Sequence, residues 1–466
     1  MRLTLVNCDF PSVSAVPPIG VLSLAQVAKK IGHTVTIRDY QLADAEGSRE
    51  PEVFAQFCDT TDDVLGISVS GFSLPLVILG LKIVKKKRPD LIIVMGGIGA
   101  SGAGEEIINS FPWIDIVVYG EGEETFKELL NCLANDITLE NTAGLIYRHQ
   151  GGVVKNSKRP RLKDLSKLGK LDFSMLNLKK YQLINVISAR GCPFPCTFCD
   201  VAPYWERQYV MRPLEFLVIE IEEILNEAGS DIVFVFVDDT LTVSRKRTES
   251  LCRKLGPGGL NIEWACYARA NDIDESLVKL MGESGCRKVY LGLESGSDKI
   301  LKDICKGFNT DTAWRAAVIA KKYIPIVQTA FVWGFPSETW DDFNDTLLMM
   351  GYLASKGISV KANVLTPLPF STHFKENQDS MTFLPRYSPQ FHLAGYDLDS
   401  ETVELIRQYP RIFPCFYSYD TPNLRDKYDV LRKMKMSPED LWDLWIEAKG
   451  PAPKRVKPLN LNEEHF

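Results

Sequence analysis

The chain has 466 residues, a formal net charge of −6, 45% hydrophobic residues and 24% charged residues. That length is too great for one core and sets an expectation of two or three domains, while the acidic balance excludes a nucleic-acid partner held by phosphate attraction. No apolar stretch is long enough to span a bilayer and the N-terminus lacks a secretion signal's layout, so a cytoplasmic, reducing setting is expected, with the 11 cysteines as thiols or cluster ligands.

The first third alternates strands and helices. Leu3–Val6, Val35–Arg38, Leu65–Val69, Leu91–Met95 and Ile114–Tyr119 read as short strands whose Val/Ile/Leu content suits a parallel sheet covered on both faces. Val21–Ile31 and Leu76–Lys87 read as amphipathic helices, the first preceded by Pro17-Pro18 and followed by Gly32. Together these elements predict a Rossmann-like, doubly wound domain over residues 1–130, binding ligands beyond the carboxyl ends of its strands. There the sequence offers Cys8-Asp9-Phe10-Pro11, Ser68-Val69-Ser70-Gly71, Gly96-Gly97-Ile98-Gly99 and Gly120-Glu121-Gly122-Glu123, where glycine lets a ligand approach the backbone. The run Lys85–Arg88 reads as a solvated helix end. Residues 131–182 are polar and broken, with a hairpin expected at Ala143–Val154, and read as a linker.

The α/β rhythm restarts over residues 183–370. Strands are expected at Asn185–Ser188, Ile232–Val237, Glu263–Ala268, Lys288–Leu293, Ile326–Val332 and Ser359–Leu365, with helices such as Pro213–Asn226, Thr310–Tyr323 and Thr339–Lys356 between them. The most specific signal follows the first of these strands: Gly191-Cys192-Pro193-Phe194-Pro195-Cys196-Thr197-Phe198-Cys199. The spacing Cys-x3-Cys-x2-Cys supplies three thiolates in one short loop, and no nearby Cys or His completes a fourfold set. Structural zinc sites are normally closed by four protein ligands. A three-thiolate loop suits a [4Fe–4S] cluster with one iron open to a small molecule; an incidental cysteine cluster or a partial zinc knuckle is the bland alternative. After Pro369 the pattern changes to aromatics, prolines and short helices, read as a C-terminal extension over residues 371–466 packed against the second domain. Trp442 and Trp445 lie near its end, and its tail from Pro451 reads as loose.

The thiolate loop, with Phe198 before its last cysteine, resembles the signature of the radical S-adenosylmethionine (SAM) enzymes. The six strands then resemble that family's partial (β/α)6 barrel, whose reactive groups collect at the carboxyl ends of the strands. The resemblance implies that Cys192, Cys196 and Cys199 hold three irons and that SAM chelates the fourth. It places Phe198 near the adenine and Asp238 or Asp239 at the SAM amino group. Arg269 falls at the SAM carboxylate, where a guanidinium fork donates two parallel hydrogen bonds. Glu294 or Ser295 falls at the ribose, and Gly334 and Pro367 fall in the Gly-Phe-Pro and Thr-Pro-x-Pro turns ending the last two strands.

A Rossmann-like domain followed by such a barrel resembles the cobalamin-dependent radical SAM enzymes. The matching positions are Pro18, Ser68, Ser70, Gly96, Gly97, Gly120, Glu121 and Gly122, implied as cobalamin contacts. The Asp-x-His-x-x-Gly loop of the best-known B12 domains is missing: His33, His149, His373, His392 and His465 all sit elsewhere. A His-ligated cobalt is therefore not expected.

The resemblance implies a C-methyltransferase acting on an unactivated carbon of a small molecule or natural-product intermediate. An external donor such as flavodoxin or ferredoxin would supply its electrons. The alternative is a cobalamin-dependent radical cyclase or ring-rearrangement enzyme without methyl transfer. Further off are a methylthiotransferase, which would need a second cluster on Cys8, Cys58 and Cys132, and a non-catalytic iron–sulfur protein. No catalytic residue and no substrate is assigned. The aromatics Phe370, Phe374, Tyr387, Phe391, Phe413, Phe416, Tyr417 and Tyr419 read first as a packing core of the extension and second as a substrate pocket.

Overall fold

The computed structural model describes residues 1–12, 14–388, 400–421 and 423–433; Phe391, His392, Trp442, Trp445, His465 and the tail from Pro451 lie outside them. The first sheet comprises β1 (Arg2–Asn7), β2 (Thr34–Asp39), β3 (Val64–Ser68), β4 (Ile92–Gly96), β5 (Ile116–Val118), β6 (Leu145–His149) and β7 (Gly152–Lys155). Its order is β2-β1-β3-β4-β5-β6-β7. The first five strands run parallel, and the inner ones, β1, β3, β4 and β5, carry the buried Val/Ile/Leu runs such a sheet needs. The last two run antiparallel. The expected hairpin is therefore not part of a linker: it completes the edge of the sheet, covering what β5 would leave exposed.

The second sheet is all parallel, with the last five strands in reverse chain order from one edge and the first strand at the other. Its strands are β8 (Leu183–Val186), β11 (Val233–Phe236), β12 (Glu263–Ala268), β13 (Cys286–Glu294), β14 (Ile326–Trp333) and β15 (Ser359–Val364). Between β8 and β11 a short ribbon, β9 (Ala189–Arg190) with β10 (Val210–Met211), carries the thiolate loop, an element the sequence reading missed. The helices start on local signals: Asp274 accepts from the Leu277 N–H, Asn309 from the Thr312 N–H, and Thr339 and Asp342 form a reciprocal capping box.

The domains share cores rather than meeting through a thin interface. Ala15 and Leu22 of the first domain sit in the cluster built around Trp264, Phe234 and Phe331 of the second. Tyr181 donates its hydroxyl to Asp39 Oδ2 at 2.9 Å. The C-terminal extension departs from expectation. Val403, Ile406, Phe413, Phe416 and Tyr417 are buried against the first domain, beside Leu74 and Phe111. The chain returns to the second domain at Tyr419, packed with Ile300, Phe335 and Leu365, and at the helix Leu424–Lys433, where Leu424 packs with Trp333 and Phe343. The extension is a strap across both domains, and its described aromatics mostly pack: Phe413 and Phe416 are fully buried, Tyr417 and Tyr419 nearly so. No helix among the described residues is long and apolar enough to cross a membrane.

Candidate active site between two sets of strand ends

In a sheet ordered 2-1-3-4-5 the crevice opens where the order reverses, between β1 and β3. There the structure holds a cavity of about 310 Å³. One wall is the first sheet: Ser68, Gly96, Gly97, Gly120, Gly122 and the first turn of the helix Ile19–Lys30. The facing wall belongs to the second domain: Ile187, Ala189, Arg190, Tyr204, Val237 and Asp239. A second lobe of about 210 Å³, with Pro18, Asp9 and Asn185 among its lining residues, shares Ile19, Gly20, Ser68 and Val237 with the first. Among the described residues no histidine lines either lobe.

The glycines here have two jobs. At Gly97, φ is +93° and a Cβ would stand 2.6 Å from the Val69 carbonyl oxygen, so only glycine fits the turn. Gly20 and Gly120 have no atom within 4 Å of where a Cβ would stand, so their bare backbone faces open space. A wall of this kind fits a bulky cofactor that lies flat on the main chain.

The thiolate loop sits beside this cavity, tied to the second domain and the extension at three places. Gly191 N–H donates to Asp239 Oδ2 at 2.9 Å beyond β11, Thr197 N–H donates to the Ile304 carbonyl at 3.1 Å, and His373 N–H donates to the Thr197 carbonyl at 2.9 Å beyond β15. Gly191, at φ +94°, is obligatory, since a Cβ would stand 2.0 Å from the Gln208 carbonyl oxygen. Burial pushes the Cys192 thiol up and the Cys199 thiol up to about 12. Such thiols become thiolates only against a multivalent cation. Among the described residues no three Cys, His, Asp or Glu side chains converge on one metal ion. Three thiols in one short loop suit a polynuclear cluster better than a zinc site closed by four protein ligands. Cys8, Cys58 and Cys132 form no such group either; all three are buried, Cys132 against the Thr142 hydroxyl at 3.6 Å.

Around the loop the residues singled out from the sequence divide into two sets. Arg269 is buried with Nη1 3.6 Å from Cys196 Sγ and its guanidinium 3.9 Å from the Phe194 ring centre. Asp239 faces the cavity, its carboxyl pushed up to about 6 by burial. Glu294, at φ +71°, pairs with Lys306 at 2.7 Å, and Lys306 lies 5.9 Å from the Phe198 ring centre. Gly292 makes room for that pair: a Cβ there would meet Glu294 Oε1 at 2.3 Å. A non-glycine residue held at positive φ stores strain where the surroundings over-determine it.

The other set is occupied elsewhere. Asp238 is spent on Ser188, whose amide and hydroxyl donate to it at 2.6 and 2.5 Å. The Ser295 hydroxyl contacts Thr346 at 3.1 Å, and Ser70 is bonded to Asp9 at 3.1 Å and Ser73 at 3.0 Å. Gly334 donates its N–H to Glu338 Oε2 at 2.9 Å, under Leu424. The turn holding Pro367 continues to Pro369, which packs against Gly102 of the first domain. Glu121 faces Arg190 at 2.9 Å as one half of an inter-domain ion cluster.

That cluster is what the sequence reading missed. Arg190 sits one residue before the thiolate loop and bonds Glu121 and Glu123 across the domain boundary, at 2.9 and 2.6 Å. Burial pushes Glu123 up, but the Arg190 charge and hydrogen bond outweigh it and hold the carboxyl below its ordinary value. Tyr204 adds a hydroxyl donated to the Gly120 carbonyl at 2.9 Å. Nothing local to Arg190 or Tyr204 signals these roles, because each partner is far away in sequence.

Comparison with known proteins gives two family matches in chain order. A model of the B12 binding domain matches residues 12–130, and one of the Radical SAM superfamily matches residues 186–350. An uncharacterized methyltransferase of Pyrococcus horikoshii is 31% identical over 336 residues, 71% of this chain and 72% of that one. The anaerobic magnesium-protoporphyrin IX monomethyl ester cyclase of Synechocystis sp. is 26% identical over 370 residues, 76% of this chain and 72% of that one. Among solved structures, the radical SAM methyltransferase TsrM of Kitasatospora setae, with tryptophan substrate and a SAM analogue bound, matches at a TM-score of 0.68 and 17% identity. That match covers 94% of this chain and 90% of that one.

Proposed function

The chain belongs to the cobalamin-dependent radical SAM enzymes, and from that membership we propose that it transfers a methyl group from SAM to a carbon of a small molecule. Its cofactors are a [4Fe–4S] cluster, SAM and cobalamin. When bound, the cluster and SAM supply a 5′-deoxyadenosyl radical and cobalamin carries the methyl group. The observation that carries the proposal is the shared cavity: glycine-walled strand ends of one sheet face the strand ends of the other, with the thiolate loop beside them.

Cys192, Cys196 and Cys199 hold the cluster in this reading. Arg269, stacked on Phe194, next to Cys196 and with its Nε–H donated to Asn271 Oδ1 at 2.8 Å, receives the SAM carboxylate through its remaining guanidinium N–H groups. Asp239 lies where a cationic amino group would restore its charge, lowering a carboxyl that burial has raised. The Glu294–Lys306 pair bounds the same region on the Phe198 side. Gly20, Gly96, Gly97, Gly120 and Gly122 let the corrin lie against backbone. Asp238, Ser295, Ser70 and Glu121 carry no ligand role here, since their oxygens are already engaged. The cluster takes electrons from an external one-electron donor such as flavodoxin or ferredoxin, in a reducing cytosol.

A second reading, radical cyclisation without methyl transfer, is favoured by the match to the Synechocystis cyclase. One experiment separates the two. The protein is reconstituted anaerobically with iron, sulfide and hydroxocobalamin, then given methyl-deuterated SAM and a strong reductant. Label in the acid-released corrin together with 5′-deoxyadenosine supports methyl transfer. 5′-Deoxyadenosine with an unlabelled corrin supports the cyclase reading, and absence of both overturns the two together.

A further inference from the structure

The three cysteines of the thiolate loop stand in unequal surroundings. Neutral groups donate to two of them: the Phe194 amide and the Thr240 hydroxyl to Cys192, and the Val201 and Ala202 amides to Cys199. Cys196 is the buried one of the three, and its donor is a cation: Arg269 Nη1 stands 3.6 Å from Cys196 Sγ.

That guanidinium is fixed from several sides. Its Nε–H donates to Asn271 Oδ1 at 2.8 Å, and the Phe194 and Phe308 ring centres lie 3.9 and 5.4 Å from its carbon. Gly307, at φ +79°, leaves room for Nη2, since a Cβ there would stand 3.0 Å from it. The backbone at the end of β12 is anchored too: the Arg269 N–H donates to Thr242 Oγ1 at 3.3 Å, and that hydroxyl donates to Asp272 Oδ2 at 3.0 Å. Asp272 feels the arginine's charge without a direct bond to it. Arg269 is only 6% exposed, and its hydrogen-bond partners among the described residues are an amide oxygen and a thiol, with no carboxylate. A buried charge is costly unless a counter-charge meets it. A thiolate at Cys196 is the counter-charge that this geometry awaits.

A hydrogen bond from an ionised donor is about twice as strong as a neutral one, and hydrogen bonds to the sulfurs are among the quantities that set an iron–sulfur potential. Reduction adds one electron to the cluster and makes or breaks no bond. The reduced form carries one more negative charge, so it gains more from a cation held beside it in a low-dielectric site. We propose that Arg269 is a positioning residue that raises the reduction potential of the cluster by holding a cationic donor on the Cys196 thiolate. This rests on the cluster assignment of the functional reading and adds a second task to the same side chain, because the SAM carboxylate takes other N–H groups of the fork.

The test uses the full chain reconstituted anaerobically with iron and sulfide, without SAM. It is titrated with dithionite while the reduced cluster is followed by electron paramagnetic resonance. In Arg269→Met the one-electron equilibrium moves about tenfold toward the oxidised form, a fall of about 59 mV. Arg269→Lys, which keeps the charge and loses the fork, recovers part of that fall. A methionine variant with the wild-type potential, or a lysine variant no higher than the methionine one, overturns the proposal. Wild-type protein grown on isotope-labelled arginine gives a readout that needs no variant: pulsed resonance of the reduced cluster shows coupling to a guanidinium nitrogen, and its absence overturns the proposal. A chain that takes up no [4Fe–4S] cluster sinks the functional reading and this assignment together. A cluster that yields 5′-deoxyadenosine from SAM but whose potential ignores Arg269 sinks this assignment alone.

Discussion

Arg190 and Glu123 join the two cofactor-binding halves of the molecule: the guanidinium Nη2 stands 2.6 Å from Glu123 Oε1, across the domain boundary and on the edge of the cavity. Glu123 also accepts the Ser23 hydroxyl at 2.8 Å, so the pair reaches the helix Ile19–Lys30 as well. Both side chains are nearly buried, at 11% and 6% exposure. Breaking such a pair from one side leaves an uncompensated charge in a low-dielectric site, whereas removing both partners relieves it. Arg190→Met is therefore expected to cost about 3–5 kcal/mol, and adding Glu123→Gln to it recovers much of that, with Glu121 still paired to Arg161 at 3.7 Å. Urea unfolding monitored by circular dichroism measures both.

The same pair sets an acid limit. A carboxyl held below its unfolded value contributes stability that is fully present above the unfolded value and is lost as pH falls through the folded one. For Glu123 that places the loss below the ordinary glutamate value of 4.5. Wild-type stability should fall between pH 5 and pH 3 more steeply than that of Glu123→Gln, by about one proton in the linkage slope. Parallel slopes would assign the acid limit to other groups.

Gly20 separates ligand space from folding. It lies in the first turn of a helix, with open cavity where a side chain would stand. Gly20→Phe should leave the urea midpoint unchanged or raise it, since glycine is worth about 1 kcal/mol less than alanine in a helix. Hydroxocobalamin binding, read by absorbance after gel filtration, should fall at least tenfold.

The thiolate loop and the glycine wall belong to different domains, so their ligands should be lost independently. Cys196→Ser is expected to abolish the iron–sulfur absorbance and 5′-deoxyadenosine formation while retaining corrin uptake. Gly20→Phe should do the reverse for cluster and corrin. Loss of both cofactors in either variant would mean that the halves do not load separately.

Lys427 and Glu338 are both fully buried, 2.9 Å apart, and Glu338 also receives the Gly334 N–H. The C-terminal strap is thus fastened to the turn that ends β14. Lys427→Met should cost about 3–5 kcal/mol and increase proteolysis of the helix Leu424–Lys433, and Lys427→Met with Glu338→Gln should recover part of it. Equal proteolysis of single variant and wild type would show that the strap is held by its apolar contacts alone.

Most strands fall within a residue or two of where periodicity puts them, because Val/Ile/Leu runs between polar breaks encode strand and register locally. The hairpin at β6 and β7 was visible as a hairpin yet misread as linker. Its local signal says nothing about whether an edge strand stands nearby to receive it. The extension was misread for the same reason: the buried faces of Val403, Ile406 and Phe413 are plain in sequence, but not which domain they meet. Aspartates and serines beside the thiolate loop were the weakest inference. Asp238 and Asp239 are adjacent and alike in sequence, and only the position of Ser188 decides which of them is consumed.

By itself the chain determined its two α/β units, the thiolate loop with its missing fourth ligand, and the glycines that end the strands of the first sheet. These are local matters of side-chain period, ligand spacing and backbone freedom. Only the tertiary structure decided that the two sets of strand ends close on one cavity and that Arg190 fastens them. Charge pairing and shared space depend on residues far apart along the chain, and only the folded molecule fixes their distances.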